Sequence, residues 1–182
     1  NDNDIFIART GYTGELGYEI LGDSNTINSI WDLTISNGCV PAGLAVRDVL
    51  RTEMGYCLYG HEINETTNPI DAGLNWIIKN NDSFIGKDQI FDSKNNNKKI
   101  IFIKMLERGM LREGCEIFYQ DDKIGIISSG TFSYILNCGV GIGFIKREIN
   151  TADNFSVMIR DKKYKIKISE KPFINNRSLK SN

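Results

Sequence analysis

The densest chemistry in the chain lies in Ala8-Arg9-Thr10-Gly11-Tyr12-Thr13-Gly14-Glu15-Leu16-Gly17-Tyr18-Glu19-Ile20. Three glycines fall within seven residues, among two tyrosines, two acids and an arginine. Glycines so spaced permit positive φ and the close approach of a ligand or another backbone. Two readings are open from spacing alone. One is a hairpin whose loop is Gly-rich. The other is a ligand loop with Tyr12 as a flat wall and Glu19 as a buried hydrogen-bond acceptor. A second group of interest is Arg47 and Arg51, four residues apart and so near one another on one side of any helix. A solvated face with Asp48 and Glu53 as partners explains that pair. The apolar neighbours of Arg47 favour partial burial and a definite partner.

The elements that must position these residues follow from pattern. Ile5-Phe6-Ile7 reads as a buried strand and Tyr18 to Leu21 as a second, with the glycine loop between them. Gly22-Asp23-Ser24-Asn25 supplies a helix N-cap. A helix to about Ser36 places Ile27, Ile30, Trp31 and Ile35 on one face, with Trp31 as a core anchor, and Asn37-Gly38 ends it. A second helix spans Leu44 to Met54, stops at Gly55 and buries Val46, Val49 and Leu50. Trp76-Ile77-Ile78 reads as a strand, and a short helix ends near Ser93. Lys94-Asn95-Asn96-Asn97-Lys98 is polar and low in complexity, the expected linker. Beyond it, 99–106, 115–119, 124–128, 139–145, 155–159 and 163–168 read as short strands of a small barrel or sandwich. Gln120-Asp121-Asp122-Lys123 and Arg160-Asp161-Lys162 are tight turns. The tail after Phe173 is polar and expected to be loose.

Composition narrows the function classes. The chain has 182 residues, 41% hydrophobic, with net charge -1. A real core is possible, and no broad charge draws the chain to nucleic acid or anionic membrane. No apolar run is long enough to cross a bilayer. The first residues are acids and Asn, unlike a secretory signal, and the absence of a leading Met points to a fragment or processed piece. Cys39, Cys57, Cys115 and Cys138 form no C-x-x-C pair, and His61 is the single histidine. The expectation is buried, reduced thiols of a cytoplasmic-type compartment and no metal site. His61 reads as a surface or loop residue.

Further motifs join the glycine loop in order: Gly43-Leu44-Ala45-Val46-Arg47-Asp48-Val49-Leu50-Arg51, Glu53-Met54-Gly55, Leu58-Tyr59-Gly60, Pro69, Gly73-Leu74-Asn75-Trp76, Phe84-Ile85-Gly86-Lys87, and Gly125-Ile126-Ile127-Ser128-Ser129-Gly130-Thr131-Phe132-Ser133. That ordered set closely resembles the aminomethyltransferase family of the glycine cleavage system, the T-proteins, in their C-terminal half. The resemblance implies an α+β chain: residues 1–93 as the last part of an α/β folate-binding region, and 99–176 as a small antiparallel β-barrel domain. It implies transfer of a one-carbon unit from an aminomethyl-lipoyl carrier protein, the H-protein, to tetrahydrofolate as acceptor substrate. The products are 5,10-methylenetetrahydrofolate, ammonia and the dihydrolipoyl carrier. The family's central aspartate belongs to the missing half, so no catalytic residue is assigned and this chain alone is expected to be inactive. The compartment implied is cytoplasmic, or the mitochondrial matrix in a eukaryote.

The family match assigns folate contacts to Glu19 and Arg47, with Tyr12 walling the pterin and Trp76 lining the channel. A carboxylate such as Glu19 accepts adjacent pterin N–H groups in a fork. Arg47 can meet either the pterin carbonyl or the glutamyl tail. The sequence departs from the family at Leu16, often Asp there, and follows its tail pattern only loosely. Other readings in view are the folate domain of a dimethylglycine- or sarcosine-oxidising enzyme, and a folate-binding module without transferase activity. The latter typically carries K-G-C-Y-x-G-Q-E where this chain has Gly55-Tyr56-Cys57-Leu58-Tyr59-Gly60-His61-Glu62.

Overall fold

The computed structural model describes residues 4–79, 83–92, 97–149 and 154–178. Its first part holds a two-stranded antiparallel ribbon, β1 (Phe6–Ala8) and β2 (Glu19–Leu21), with Ala8 opposite Glu19. Two helices follow, α1 (Ser24–Ser36) and α2 (Leu44–Met54), and a short α3 (Lys87–Phe91). The second part is a closed antiparallel barrel of β3 (Lys98–Met105), β4 (Glu116–Tyr119), β5 (Asp122–Ser133), β6 (Cys138–Lys146), β7 (Phe155–Ile159) and β8 (Lys162–Ser169). Around the barrel the order is β3-β6-β5-β4-β7-β8, with β8 returning to β3. This is the α+β class that the sequence implies.

Local chemistry explains the boundaries. The Asp23 carboxylate accepts from the backbone N–H groups of Asn25 (3.0 Å) and Thr26 (3.1 Å), satisfying two orphan donors at the start of α1. Gly55 closes α2 in the left-handed region, at φ 70°. Arg160 and Asp161 both take positive φ, as a two-residue hairpin that follows strand twist requires, and they join β7 to β8. Alternation along β3 turns Ile101, Ile103 and Met105 into the barrel, where they meet Leu111, Ile117, Ile127 and Val157.

As far as Ser178, the last described residue, the tail is not loose. Phe173 and Ile174 are buried against Phe102, Val140 and Ile142 on the outside of the barrel. The Phe102 and Phe173 rings meet edge to face at 6.2 Å. Two apolar residues thus anchor a segment whose composition is otherwise polar. Trp76-Ile77-Ile78 is also not a strand. Asn75–Ile77 forms one 3-10 turn, held by Ile77 N–H to Leu74 O and Ile78 N–H to Asn75 O. The run has strand propensity but lies outside both sheets. Of the expected linker, residues 94–96 lie outside the described residues, as does Ser93; Lys98 already belongs to β3.

The expected cores of the first part are exposed. Phe6 and Ile7 of β1 face outward, and α1 has no buried residue; Trp31 is 54% exposed. In α2 the buried positions are Arg51, Thr52, Glu53 and Met54, while Val46 is exposed and Val49 and Leu50 are half-buried. Periodicity marks a face that can be buried; what covers it is a tertiary matter. The four cysteines are free thiols, but Cys39 is exposed and the other three are half-buried rather than buried.

Inside the barrel wall, glycine lets strands approach. A Cβ on Gly125 would stand 2.0 Å from the Phe144 carbonyl oxygen, a backbone atom of the neighbouring strand. Gly125→Ala is expected to lower the stability of the chain by about 2–3 kcal/mol, the cost of overpacking against main chain. Urea denaturation checks this.

Candidate functional site

The glycine loop is folded onto the end of α2. Gly14, at φ 77°, sits so close to Met54 that a Cβ would lie 2.5 Å from the thioether sulfur. That approach brings Tyr12 over the start of the segment after α2. The Tyr12 ring stacks on Tyr56, with centroids 5.8 Å apart and planes at 27°. Its hydroxyl donates to the Cys57 carbonyl. The Arg47 guanidinium carbon stands 4.4 Å from the Tyr12 ring centroid, an attractive cation–π geometry. Burial pushes the Tyr12 phenol above its ordinary pKa, so it remains a neutral donor at pH 7.

Tyr12 and Arg47, both singled out in the sequence, are therefore in direct contact. Glu19 opens β2 and is exposed rather than buried; its carboxylate accepts from the Thr10 hydroxyl across the loop. Arg47 has the definite partner expected of it but is itself exposed. Trp76 stands apart, 78% exposed in the 3-10 turn. It takes no part in the contacts found for Tyr12, Arg47 and Glu19 among the described residues. A separate concavity of about 880 Å³ opens between residues 61–71 and the barrel. Its wall includes His61, half-buried, with Nδ1 3.0 Å from the Ser128 carbonyl and 3.4 Å from Glu113. None of Tyr12, Glu19, Arg47 or Trp76 lines it.

What holds the loop and helix in place leaves no local sequence pattern. Arg51, 1% exposed, donates to Asp48 (2.7 Å), to the fully buried Glu62 (3.0 Å), to the Tyr56 carbonyl (3.2 Å) and to Ser129 of β5 (2.8 Å). Glu62 in turn accepts from the Ser128 hydroxyl at 2.5 Å and the Leu58 N–H at 3.0 Å. Two residues on from Arg51 in α2, Glu53 accepts from Ser133 of β5 (2.6 Å) and from Arg177 of the tail. The visible signal was an Arg and a Glu at the end of an amphipathic helix, facing a barrel strand with three serines. Helical spacing alone reads Arg51 and Glu53 as members of a solvated face. Among the described residues no three His, Cys, Asp or Glu side chains converge as a metal set.

A second carboxylate meets the tail. Glu15 accepts from the Ser178 hydroxyl (2.6 Å), the Ser178 N–H (3.1 Å) and Arg177 (2.9 Å). The Ser178 hydroxyl oxygen also receives the Leu16 N–H at 2.7 Å. The Ser178 hydroxyl and the Arg177 guanidinium hold the Glu15 carboxyl at about 2, well below its ordinary 4.5.

Two predictions follow from these partners. Truncating Glu62 to Ala removes the buried carboxylate paired with Arg51, leaving it Asp48, and also removes the acceptor of the Ser128 hydroxyl and Leu58 N–H; it is expected to cost about 3–5 kcal/mol, read by urea denaturation. The depressed Glu15 pKa means its contribution is complete above the unfolded carboxyl range and is lost as pH falls from about 4.5 through about 2. The Leu16 amide proton shift, followed by NMR during acid titration, is expected to move in that window and to lose the transition in Glu15→Gln.

Comparison with known proteins places this geometry in a family. Residues 1–82 match the family model described as the GCVT N-terminal domain, and residues 98–175 the glycine cleavage T-protein C-terminal barrel domain. An aminomethyltransferase of Prochlorococcus marinus is 44% identical over 176 residues, covering 93% of this chain and 47% of that protein. One of Halothermothrix orenii is 37% identical over 179 residues, covering 94% and 50%. The crystal structure of glycine cleavage system aminomethyltransferase T from Bartonella henselae superposes with a TM-score of 0.86 at 31% identity, over 96% of this chain and 51% of that one. The chain spans about half the length of the curated relatives it matches. With both family models, the relatives and the barrel in agreement, the chain belongs to the aminomethyltransferase (glycine cleavage T-protein) family.

Proposed function

We propose that this chain forms the later part of the folate-binding region, residues 1–93, and the barrel domain, residues 99–176, of an aminomethyltransferase. In that reading the aminomethyl group arrives on the dihydrolipoyl sulfur of a carrier protein. Its carbon–sulfur bond breaks, the carbon joins tetrahydrofolate as 5,10-methylenetetrahydrofolate, and ammonia and the dihydrolipoyl carrier leave. This chain's residues bind and orient the acceptor, which raises the effective concentration of the folate nitrogen at the one-carbon unit.

The observation that carries the reading is the Tyr12–Arg47 contact, which joins the glycine loop to the first turn of α2. It joins a flat aromatic to a cation in a family whose relatives are aminomethyltransferases. Tyr12 walls the pterin, and Glu19 accepts its N–H groups from the rim of the loop. Arg47 meets the pterin carbonyl or the glutamyl carboxylate. With Arg47 lying over Tyr12 at stacking distance, a pterin that uses that face moves the guanidinium aside. Trp76 lines the outer channel. The exposed apolar residues of β1 and α1, among them Phe6 and Trp31, are the surface that a polypeptide matching the relatives' other half would cover. That half would also supply the groups that do the chemistry.

Calorimetry with tetrahydrofolate is the direct test. Both Glu19→Ala and Arg47→Ala are expected to weaken binding by at least ~1.5 kcal/mol, the scale of a hydrogen bond to a charged group. The chain by itself is expected to show no aminomethyl transfer with lipoyl carrier and tetrahydrofolate, and turnover by it would overturn the assignment of the chemistry to the other half. Binding that is unchanged in both variants would overturn the site.

A further inference from the structure

The glycine loop has little structure of its own. Its bond from the Glu15 N–H to the Thr13 hydroxyl is long, at 3.3 Å, and β1 and β2 pair over only three residues. Yet Tyr12 must stay in register with Arg47, which rides on a different element. The tail supplies a connection between the two. Arg177, 7% exposed, donates through one guanidinium nitrogen to Glu15 of the loop and through the other to Glu53 at the end of α2. Ser178 donates its hydroxyl and its N–H to Glu15 and takes the Leu16 N–H on the same hydroxyl oxygen. The tail itself is fixed to the barrel by Phe173 and Ile174, and the Phe173 N–H donates to the Glu53 carbonyl at 2.9 Å.

From this geometry we infer that Arg177 and Ser178 are positioning residues: a clasp from the barrel-anchored tail that holds the glycine loop, and with it Tyr12, against α2. The electrostatics are specific. Glu15 and Glu53 are two carboxylates drawn to one guanidinium, so without the cation they repel and the loop side, which is half-exposed, is the side that yields. Glu53 keeps Ser133 and stays. The clasp therefore acts on the loop while leaving the helix and barrel in place. Its consequence for ligand affinity rests on the folate reading above; its consequence for Tyr12 does not.

The test uses the full chain labelled with 3-fluorotyrosine. The chain has seven tyrosines, and Tyr12→Phe assigns the Tyr12 resonance by its loss. Ser178→Ala and Glu15→Gln remove clasp contacts without stranding a buried charge, and urea denaturation confirms that both stay folded. The expected result is a shifted or broadened Tyr12 resonance in both, with Tyr119, Tyr134 and Tyr164 of the barrel part unmoved, and partial recovery in Arg177→Lys relative to Arg177→Ala. A Tyr12 resonance identical to the parent in both folded variants overturns the clasp. Where the parent binds tetrahydrofolate, the same variants are expected to bind about tenfold more weakly through misplacement of the loop, and equal affinity would likewise overturn it. If the parent binds no folate but Tyr12 still moves in the variants, the clasp stands and the folate reading falls.

Discussion

Arg51 and Arg177 are each neutralised by buried carboxylates where α2 meets the barrel, and the placement of the glycine loop depends on that junction. Moving charges out of water costs several kcal/mol per ion, and only well-directed hydrogen bonds offset it. Here they are present. Arg51 is met by Glu62, Asp48, Ser129 and the Tyr56 carbonyl, and Glu62 by Ser128 and Leu58. Such a network has one good arrangement and many poor ones. It therefore fixes the rotation of α2 on β5 more sharply than apolar contact alone does.

From that fixed helix the site follows by short steps. The end of α2 presents Met54, and Gly14 alone in the loop can lie against it at positive φ without a side chain in the way. The loop then sets Tyr12 on Tyr56 and under Arg47. The barrel's part in this is indirect. It contributes three serines of β5 and an outer apolar patch that captures the tail. The end of α2 and β5 are thus joined by polar contacts, and Ser133 and Phe173 are linked to Glu15 through Glu53 and Arg177.

Much of this was legible in the chain. Asp23 and Gly55 mark helix ends by their capping chemistry, and both do so in the structure. The six barrel strands show as short β-branched runs between turn residues, and the structure closes all six into one barrel. Tyr12 and Arg47 were singled out from motif and neighbours, and they touch. Trp76 misled because three bulky residues in a row have strand propensity whether or not a partner strand exists. Trp31 misled because an apolar stripe states only that a face is able to be covered.

What the sequence determined by itself were the properties set by a residue and its near neighbours: caps, turns, strand alternation and the family motifs in their order. The tertiary structure alone decided which charges are buried. Arg51 and Glu62 are eleven residues apart, Glu53 and Ser133 eighty, and Glu15 and Arg177 one hundred and sixty-two. No local pattern distinguishes such partners from solvated surface charges, because the free energy that selects them is the desolvation that only the folded neighbourhood imposes.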